Sequence, residues 1–236
     1  MGVLQVFSSF FVEATATGPP EPGDIYWVPV PSTDEVPRVL DVKRADPHRH
    51  DEIEYEIREI QPYHFTERSD RLPLKLIHLE AAEELLIARC KKRPAVVLIV
   101  NRAASIEGAG PLEQRLAKAA TKASYVVAPL YSTATPQSPG TFMPVFVARI
   151  RALRYPQFAC LPRLGSNEPV PGEIVRLDRL YSTHLSRGCD RGRWKLHPEL
   201  LRLLHDQLAW AATGTLSEYL KVVAETASDA LPPECA

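Results

Sequence analysis

Apolar residues recur along this chain in short stretches, and prolines close many of them. Residues 94–100 read Pro-Ala-Val-Val-Leu-Ile-Val, a continuous apolar run that is typical of a buried strand. Because proline interrupts both helices and strand ladders, 22 prolines against 11 glycines favour short strands and loops. The pattern predicts strands over residues 24–30, 94–100, 125–130, 143–152, 158–161 and 174–180.

Helical periodicity is clearest near the C-terminus. Residues 198–210 begin with a proline and repeat leucine along one side, which is the pattern of an amphipathic helix. In residues 73–89, Leu79, Ala82, Leu85 and Leu86 fall near one face, which is again the pattern of an amphipathic helix. We therefore predict helices over residues 73–89, 112–122, 198–210 and 216–227.

Composition divides the chain into segments. Residues 15–23 have the composition of a linker. Within a polar, acidic stretch, Ile53, Tyr55 and Ile57 alternate with charged residues, as in a half-buried strand. Short strands and closing helices indicate a mostly-β fold, a barrel-like sheet with helices packed outside. We predict a tail and linker over residues 1–22, a domain over 23–213 with an insertion at 32–91, and a C-terminal helix and tail over 214–236.

The charges are distributed unevenly, although the net charge is only −1. Residues 34–70 hold 11 acidic and 6 basic residues, whereas residues 149–195 hold 4 acidic and 10 basic residues. A basic part of this kind would suit a phosphate-binding surface. An ordinary soluble protein can show the same asymmetry, so both interpretations stay open before motifs are considered.

The four cysteines form no C-x-x-C pair, and no His/Cys cluster has the spacing of a zinc site. We therefore expect free thiols in a reducing compartment, with no metal and no cofactor. Residues 1–14 lack the basic segment of a secretory signal, and no run of about 20 apolar residues is present. The expected location is the cytoplasm, without a membrane segment.

Five segments carry motifs in a fixed order. They are residues 23–28 (Gly-Asp-Ile-Tyr-Trp-Val), 93–98 (Arg-Pro-Ala-Val-Val-Leu), 126–132 (Val-Val-Ala-Pro-Leu-Tyr-Ser), 173–180 (Glu-Ile-Val-Arg-Leu-Asp-Arg-Leu) and 192–201 (Gly-Arg-Trp-Lys-Leu-His-Pro-Glu-Leu-Leu). Together they resemble the MazF/PemK/Kid family of endoribonuclease toxins from toxin–antitoxin systems. The resemblance covers roughly residues 23–30 and 93–210, and it leaves out the insertion.

The resemblance implies an SH3-like β-barrel of the MazF/PemK type, here with an inserted subdomain and C-terminal helices. It implies a metal-independent hydrolase that cleaves single-stranded RNA through attack of the 2′-hydroxyl, leaving a 2′,3′-cyclic phosphate. It also implies a homodimer that an antitoxin protein holds inactive. We expect four strand segments, residues 25–28, 95–100, 125–130 and 174–180, to belong to one twisted, barrel-like sheet.

Arg176 and Asp178 match the Arg-x-Asp pair of the Kid-like members. Residues two apart on a strand project from the same face, so one phosphate could contact both. The resemblance implies that Asp178 is the base and that Arg176 is the acid or a phosphate clamp. Because arginine rarely releases its proton, we favour the clamp. The alternative is a salt bridge on the strand surface.

The remaining site candidates come from the neighbouring segments. Arg93 occupies the family's strand-entry arginine, and we expect Arg93 and Ser132 to share one phosphate with the Arg-x-Asp pair. Tyr131 stands where the family has threonine, and its ring could stack on a base. Cations beside these segments would add phosphate contacts; they are Arg187, Arg191 and Lys195.

A second function comes from a different class of protein: a catalytically silent member of the fold that binds nucleic acid or a protein partner. Tyr131, the acidic insertion and the near-zero net charge favour it, as does His184 where the family has aspartate. Retention of Arg176 and Asp178 favours the enzyme.

Overall fold

The computed structural model describes residues 2–15, 17–32, 35–44, 46, 48–49, 52–66, 79, 83–102, 108, 110–120, 123–133, 142–185 and 188–228. The chain divides into two compact units. The first consists of residues 1–29 and 92–236, and the second of residues 30–91.

Strands and helices are numbered in chain order over the described residues. The strands are β1 Phe11–Glu13, β2 Asp24–Pro31, β3 Arg38–Lys43, β4 Glu54–Glu59, β5 Leu86–Ile87, β6 Cys90–Asn101, β7 Ser124–Ser132, β8 Phe158–Pro162, β9 Pro171–Arg176, β10 Tyr181–Thr183 and β11 Asp190–Leu196. The helices are α1 Pro111–Ala120, α2 Pro144–Arg151, α3 Pro198–Thr213 and α4 Glu218–Ser228. Short 3-10 helices cover Val3–Val6, Pro62–Phe65 and Leu177–Arg179.

A curled, antiparallel half-barrel sheet forms the base of the first unit. Over the described residues it has eight strands in the order β1-β11-β2-β6-β7-β9-β8, with β10 also pairing with β7. The four strands expected in one sheet correspond to β2, β6, β7 and β9, so that prediction is confirmed, except that residues 177–179 form a 3-10 turn and leave the sheet. The mostly-β class is confirmed with it.

The predicted strand over residues 143–152 is wrong, because this segment forms helix α2. Pro144 stands at the first turn of this helix. A backbone N–H at that position has no acceptor within the helix, so proline costs no hydrogen bond there. Phe146 and Ile150 lie one turn apart, and both pack against the core. The helical spacing of these apolar side chains lets the segment pack one face against the core.

The predicted helix over residues 73–89 is wrong in its last part. Residues 83–85 are irregular, and Leu86 and Ile87 form the short strand β5. These two residues pair with β3 at Val39 and Arg38, so strand pairing replaces the helical hydrogen bonds. Residues 73–78 and 80–82 of this prediction lie outside the described residues.

The second unit contains a three-stranded sheet in the order β4-β3-β5, counted over its described residues. The predicted strand around Tyr55 is present as β4, but Tyr55 is 70% exposed and Ile57 52% exposed, so the strand is not half-buried. Asp41 of β3 is almost fully buried, and Arg58 and Lys43 neutralise its charge.

The N-terminal segment, which the sequence suggests is a tail, contributes to the core. Val3, Leu4 and Phe10 are almost fully buried, and β1 pairs with β11, with Phe11 opposite Leu196. The 3-10 helix over Val3–Val6 packs against α4 and β8. Apolar side chains of the first residues thus fill the space between the C-terminal helix and the sheet.

Helix α3 follows its sequence signals closely. The His197 side chain accepts a hydrogen bond from the Glu199 amide, and Pro198 begins the helix. Leucines on one face are buried, and Gly214 ends the helix in the left-handed conformation that glycine adopts without strain. The predicted helices over residues 112–122, 198–210 and 216–227 correspond to α1, α3 and α4.

A buried ion pair joins β2 to β11. The Asp24 side chain is 1% exposed, and its Oδ2 accepts hydrogen bonds from Arg191 Nη2 at 2.6 Å and from the Glu21 amide at 3.0 Å. Arg191 also donates to the Gly18 carbonyl at 3.1 Å. Because an unpaired buried charge is strongly unfavourable, this pair fixes how the two strands meet.

We predict that Asp24→Asn lowers the free energy of unfolding by about 3 kcal/mol, because it leaves Arg191 without its counter-charge. Chemical denaturation measures the loss. The control is Glu13→Gln, which breaks the ion pair with Arg193 on the same strand β11. Both of those side chains are well exposed, so the expected loss is below about 1 kcal/mol. Equal effects of the two substitutions would contradict the prediction.

Candidate functional site: an arginine–aromatic row across four strands

Strand register brings the motif residues of four strands into one line. Tyr131 of β7 lies opposite Ile174 of β9, and Arg176, two residues further along β9, lies opposite Phe158 of β8. On the other side, β6 pairs with β7 so that Arg93 continues the register toward Tyr131. Side chains at such positions project from the same face of a sheet.

Contacts between the side chains confirm this line. The Arg93 guanidinium carbon lies 4.2 Å from the centre of the Tyr131 ring. The Arg176 carbon lies 5.6 Å from that ring and 5.0 Å from the Phe158 ring. All three distances are within the range of cation–π attraction. We call Arg93, Tyr131, Arg176 and Phe158 the arginine–aromatic row.

A third guanidinium, which the sequence does not single out as a site residue, joins at the same ring. Arg179 Nη1 donates a hydrogen bond to the Tyr131 hydroxyl at 3.3 Å, and its guanidinium carbon lies 5.6 Å from the ring centre. The 3-10 turn after β9 brings Arg179 there. The sequence could have indicated this contact between Arg179 and Tyr131 only if the 3-10 turn after Arg176 had been predicted.

Arg176 and Asp178 contact each other, but not from one face of a strand as predicted. Strand β9 ends at Arg176, and Asp178 lies in the following 3-10 turn. The turn folds the carboxylate back, so that Arg176 Nε donates to Oδ1 at 2.7 Å and Nη2 donates to Oδ2 at 2.5 Å. The arginine fork thus holds both carboxylate oxygens, a geometry that phosphate oxygens can also occupy.

Ser132 is adjacent to Tyr131 in sequence but lies opposite Glu173 in the sheet. Because neighbouring strand residues face opposite sides, its side chain leaves the sheet on the other face from the row. Its hydroxyl donates a hydrogen bond to the Gly172 carbonyl at 3.4 Å. The expectation that Ser132 shares one phosphate with Arg93 and Arg176 stays a prediction.

The other predicted substrate-binding cations lie elsewhere. Arg191 and Lys195 belong to β11, which β2 and β6 separate from β7. Arg191 is occupied by the buried Asp24, and Lys195 Nζ donates to Glu21 at 2.6 Å. Both cations therefore connect β11 to the start of β2. Arg187 lies outside the described residues.

Glu173 has an unusual protonation equilibrium. Burial raises the pKa of its carboxyl to about 7, although the positive charges of Arg163 and Arg93 pull it back. By the alternation along β9, Glu173 faces away from Ile174 and Arg176, on the side of Ser132. The charge of Arg93, a member of the row, nevertheless reaches this carboxyl. The sequence gives one signal, a glutamate directly before two fully buried strand residues.

We predict that Glu173 makes the protein less stable as the pH rises. A carboxyl whose folded pKa, about 7, exceeds its ordinary value of 4.5 stabilises the fold in its protonated form. That contribution is complete below pH 4.5 and is lost as the pH rises through about 7. Between those values we expect wild type to lose about 3 kcal/mol relative to Glu173→Gln, which stays neutral.

Thermal unfolding from pH 5 to pH 8 measures this difference. The melting temperature of wild type should fall relative to that of Glu173→Gln across this range. The matched control is Glu168→Gln, because Glu168 is exposed and lies outside the strands. Parallel pH profiles for wild type and Glu173→Gln would contradict the assignment.

Other indications of function are few. Within the described residues, no three His, Cys, Asp or Glu side chains group as metal ligands would. None of the described helices is long and apolar enough to cross a membrane. Comparisons of the chain with protein-family models, with curated proteins and with solved structures found no match. The chemistry of the arginine–aromatic row is therefore the basis for assigning a function.

Proposed function

We propose that this protein is an endoribonuclease that cleaves single-stranded RNA without a metal ion. The observation that carries the proposal is the arginine–aromatic row, with Asp178 held in the fork of Arg176 at its centre. Binding of a phosphodiester requires cations, and binding of a nucleobase favours a flat aromatic ring. Attack by the 2′-hydroxyl requires a general base that accepts its proton. The row and its neighbouring carboxylate combine these three elements within one part of the sheet.

The first step is binding of the RNA backbone. Arg93 brings a positive charge against Tyr131, and among the described residues it forms no ion pair. Arg176 can exchange its bidentate contact with Asp178 for a bidentate contact with phosphate. The Tyr131 ring offers a surface on which a base can stack. Binding of phosphate therefore releases the carboxylate next to the substrate.

The chemical step then follows from the released carboxylate. Asp178 accepts the proton of the 2′-hydroxyl, and the 2′-oxygen forms a bond to phosphorus. The bond from phosphorus to the 5′-oxygen breaks, and the leaving oxygen takes a proton from water. Arg93 and Arg176 stabilise the charge on the phosphate oxygens during this displacement. The products are a 2′,3′-cyclic phosphate and a free 5′-hydroxyl.

The proposal includes membership of the MazF/PemK/Kid type, with an SH3-like barrel, a homodimer and inhibition by an antitoxin in the cytoplasm. It is supported by the order of the five motif segments and by the position of four of them on β2, β6, β7 and β9 of one sheet. The three-stranded sheet of the second unit lies within the insertion at residues 32–91.

A catalytically silent RNA-binding or protein-binding member of the fold is the second candidate. Both oxygens of Asp178 are occupied by Arg176, and Tyr131 stands where the family has threonine. If the ion pair persists in the presence of RNA, no base is available for the 2′-hydroxyl. Binding without cleavage is the expected behaviour in that case.

We predict that wild type cleaves a long single-stranded RNA in EDTA and leaves 2′,3′-cyclic ends. Asp178→Asn removes the base and Arg176→Ala the clamp, so each should lower the rate at least about 100-fold. The control is Asp190→Asn, which removes a carboxylate from an exposed ion pair with Lys92. Unchanged rates in both site variants would place the chemistry elsewhere, and binding without cleavage by wild type would favour the second candidate.

RNA affinity should also depend on salt, because phosphate binding displaces counterions. We predict that Arg93→Ala weakens binding of single-stranded RNA and reduces the slope of log affinity against log salt by about 0.7. Arg193→Ala is the control, because Arg193 is exposed on β11 and is paired with Glu13. Affinity that does not change between about 50 and 200 mM salt would exclude phosphate contact as the basis of binding.

A further inference from the structure

The arginine–aromatic row does not end at Phe158. The Phe146 ring of α2 packs edge-on against Phe158, with centres 5.1 Å apart. Tyr155, in the loop after α2, lies 5.3 Å from Phe146 and 6.1 Å from Phe158. Phe142 stands before α2 at 6.1 Å from Phe146, with nearly parallel rings. We call Phe142, Phe146, Tyr155 and Phe158 the aromatic cluster.

Each ring of the aromatic cluster is only partly buried, although it packs against the core. The surface beside it is also apolar, since Met143 is 73% exposed and Val145 is 39% exposed. Core packing accounts for the buried edges of the rings. Core packing does not explain why exposed apolar area accumulates next to the Arg176 guanidinium. An exposed apolar patch of this kind indicates a binding surface.

The sequence around the cluster is rich in positive charge. The segment from Phe142 to Arg163 contains four arginines and no acidic residue. The Arg176 guanidinium, which also holds Asp178, lies against the Phe158 ring at 5.0 Å. A surface that combines partly exposed rings with a guanidinium able to exchange its carboxylate for phosphate is complementary to a single-stranded polyanion with flat bases. A lipid surface or an acidic peptide would use the cations but has no such need for several rings.

We propose that the aromatic cluster is a base-binding subsite for single-stranded RNA. The base next to the phosphate held by Arg176 stacks on these rings, while the base on the other side of that phosphate stacks on Tyr131. This deepens the proposed function and rests on it, because it assigns to the same site a substrate of at least two unpaired nucleotides. Duplex RNA, whose bases are already stacked, is a poor ligand for the subsite.

Binding of short fluorescent oligonucleotides tests the subsite without any cleavage. The probes carry 2′-O-methyl groups, so that the 2′-oxygen cannot attack, and they differ only in having normal or abasic nucleotides. Because the two probes have the same charge, phosphate contacts contribute equally to both. We expect wild type to bind the base-containing probe about 10-fold more tightly, as stacking on aromatic side chains predicts.

Two variants connect this preference to the cluster. Phe142→Leu and Phe158→Leu remove a ring but retain an apolar side chain, so each should reduce the preference to about two- to threefold. Phe65→Leu is the control, because Phe65 is an exposed ring outside the cluster, and it should keep the full preference. Melting curves verify that the variants are folded. The comparison of the two probes on wild type does not depend on whether any variant folds.

The outcomes separate the subsite from the nuclease proposal. Equal binding of both probes by wild type would overturn the subsite even if the protein cleaves RNA. A preference for bases that Phe142→Leu and Phe158→Leu leave unchanged would also overturn it. A preference that both variants reduce would support the subsite even if wild type cleaves nothing. Tight binding of an apolar peptide, with no preference between the probes, would assign the surface to a protein partner instead.

Discussion

The candidate site depends on how β7 pairs with β6 on one side and with β9 on the other. Val127 and Ala128 are fully buried, so the register of β7 is fixed by its apolar side chains. A slip by one residue would exchange the two faces of the strand and turn Tyr131 away from Arg93 and Arg176. The register that completes the core therefore also assembles the arginine–aromatic row.

The cations of the first unit serve two purposes. On β11, Arg191 and Lys195 are bound by carboxylates at the start of β2, and they connect parts of the fold. On β6 and β9, Arg93 and Arg176 contact aromatic faces instead. A ring attracts a cation without neutralising its charge, so Arg93 stays available to an anion, whereas Arg176 also holds Asp178 and binds another anion only in exchange for that carboxylate. The positive charges in the second half of the sequence thus do not form one continuous binding surface.

In the proposed mechanism, the ion pair between Arg176 and Asp178 connects binding with chemistry. Each oxygen of the carboxylate accepts one hydrogen bond from the guanidinium, so the pair is stable while no ligand is present. In the proposed mechanism, a phosphate competes for the same fork, and the carboxylate then becomes the nearest acceptor for a substrate proton. Tyr131 places a ring at this point of the site, and in the proposed function that ring favours recognition of unpaired bases.

The sequence by itself determined the central strands, because continuous apolar runs such as residues 94–100 are stable only where both faces are covered. It also determined α3, through Pro198 and Gly214 at its ends, and it identified Arg93, Tyr131, Arg176 and Asp178. Only the tertiary structure decided that residues 144–151 form a helix and that Arg191 is bound by Asp24. The reason is physical: local patterns fix which face a residue can occupy, whereas its partners depend on register and on turns between distant segments.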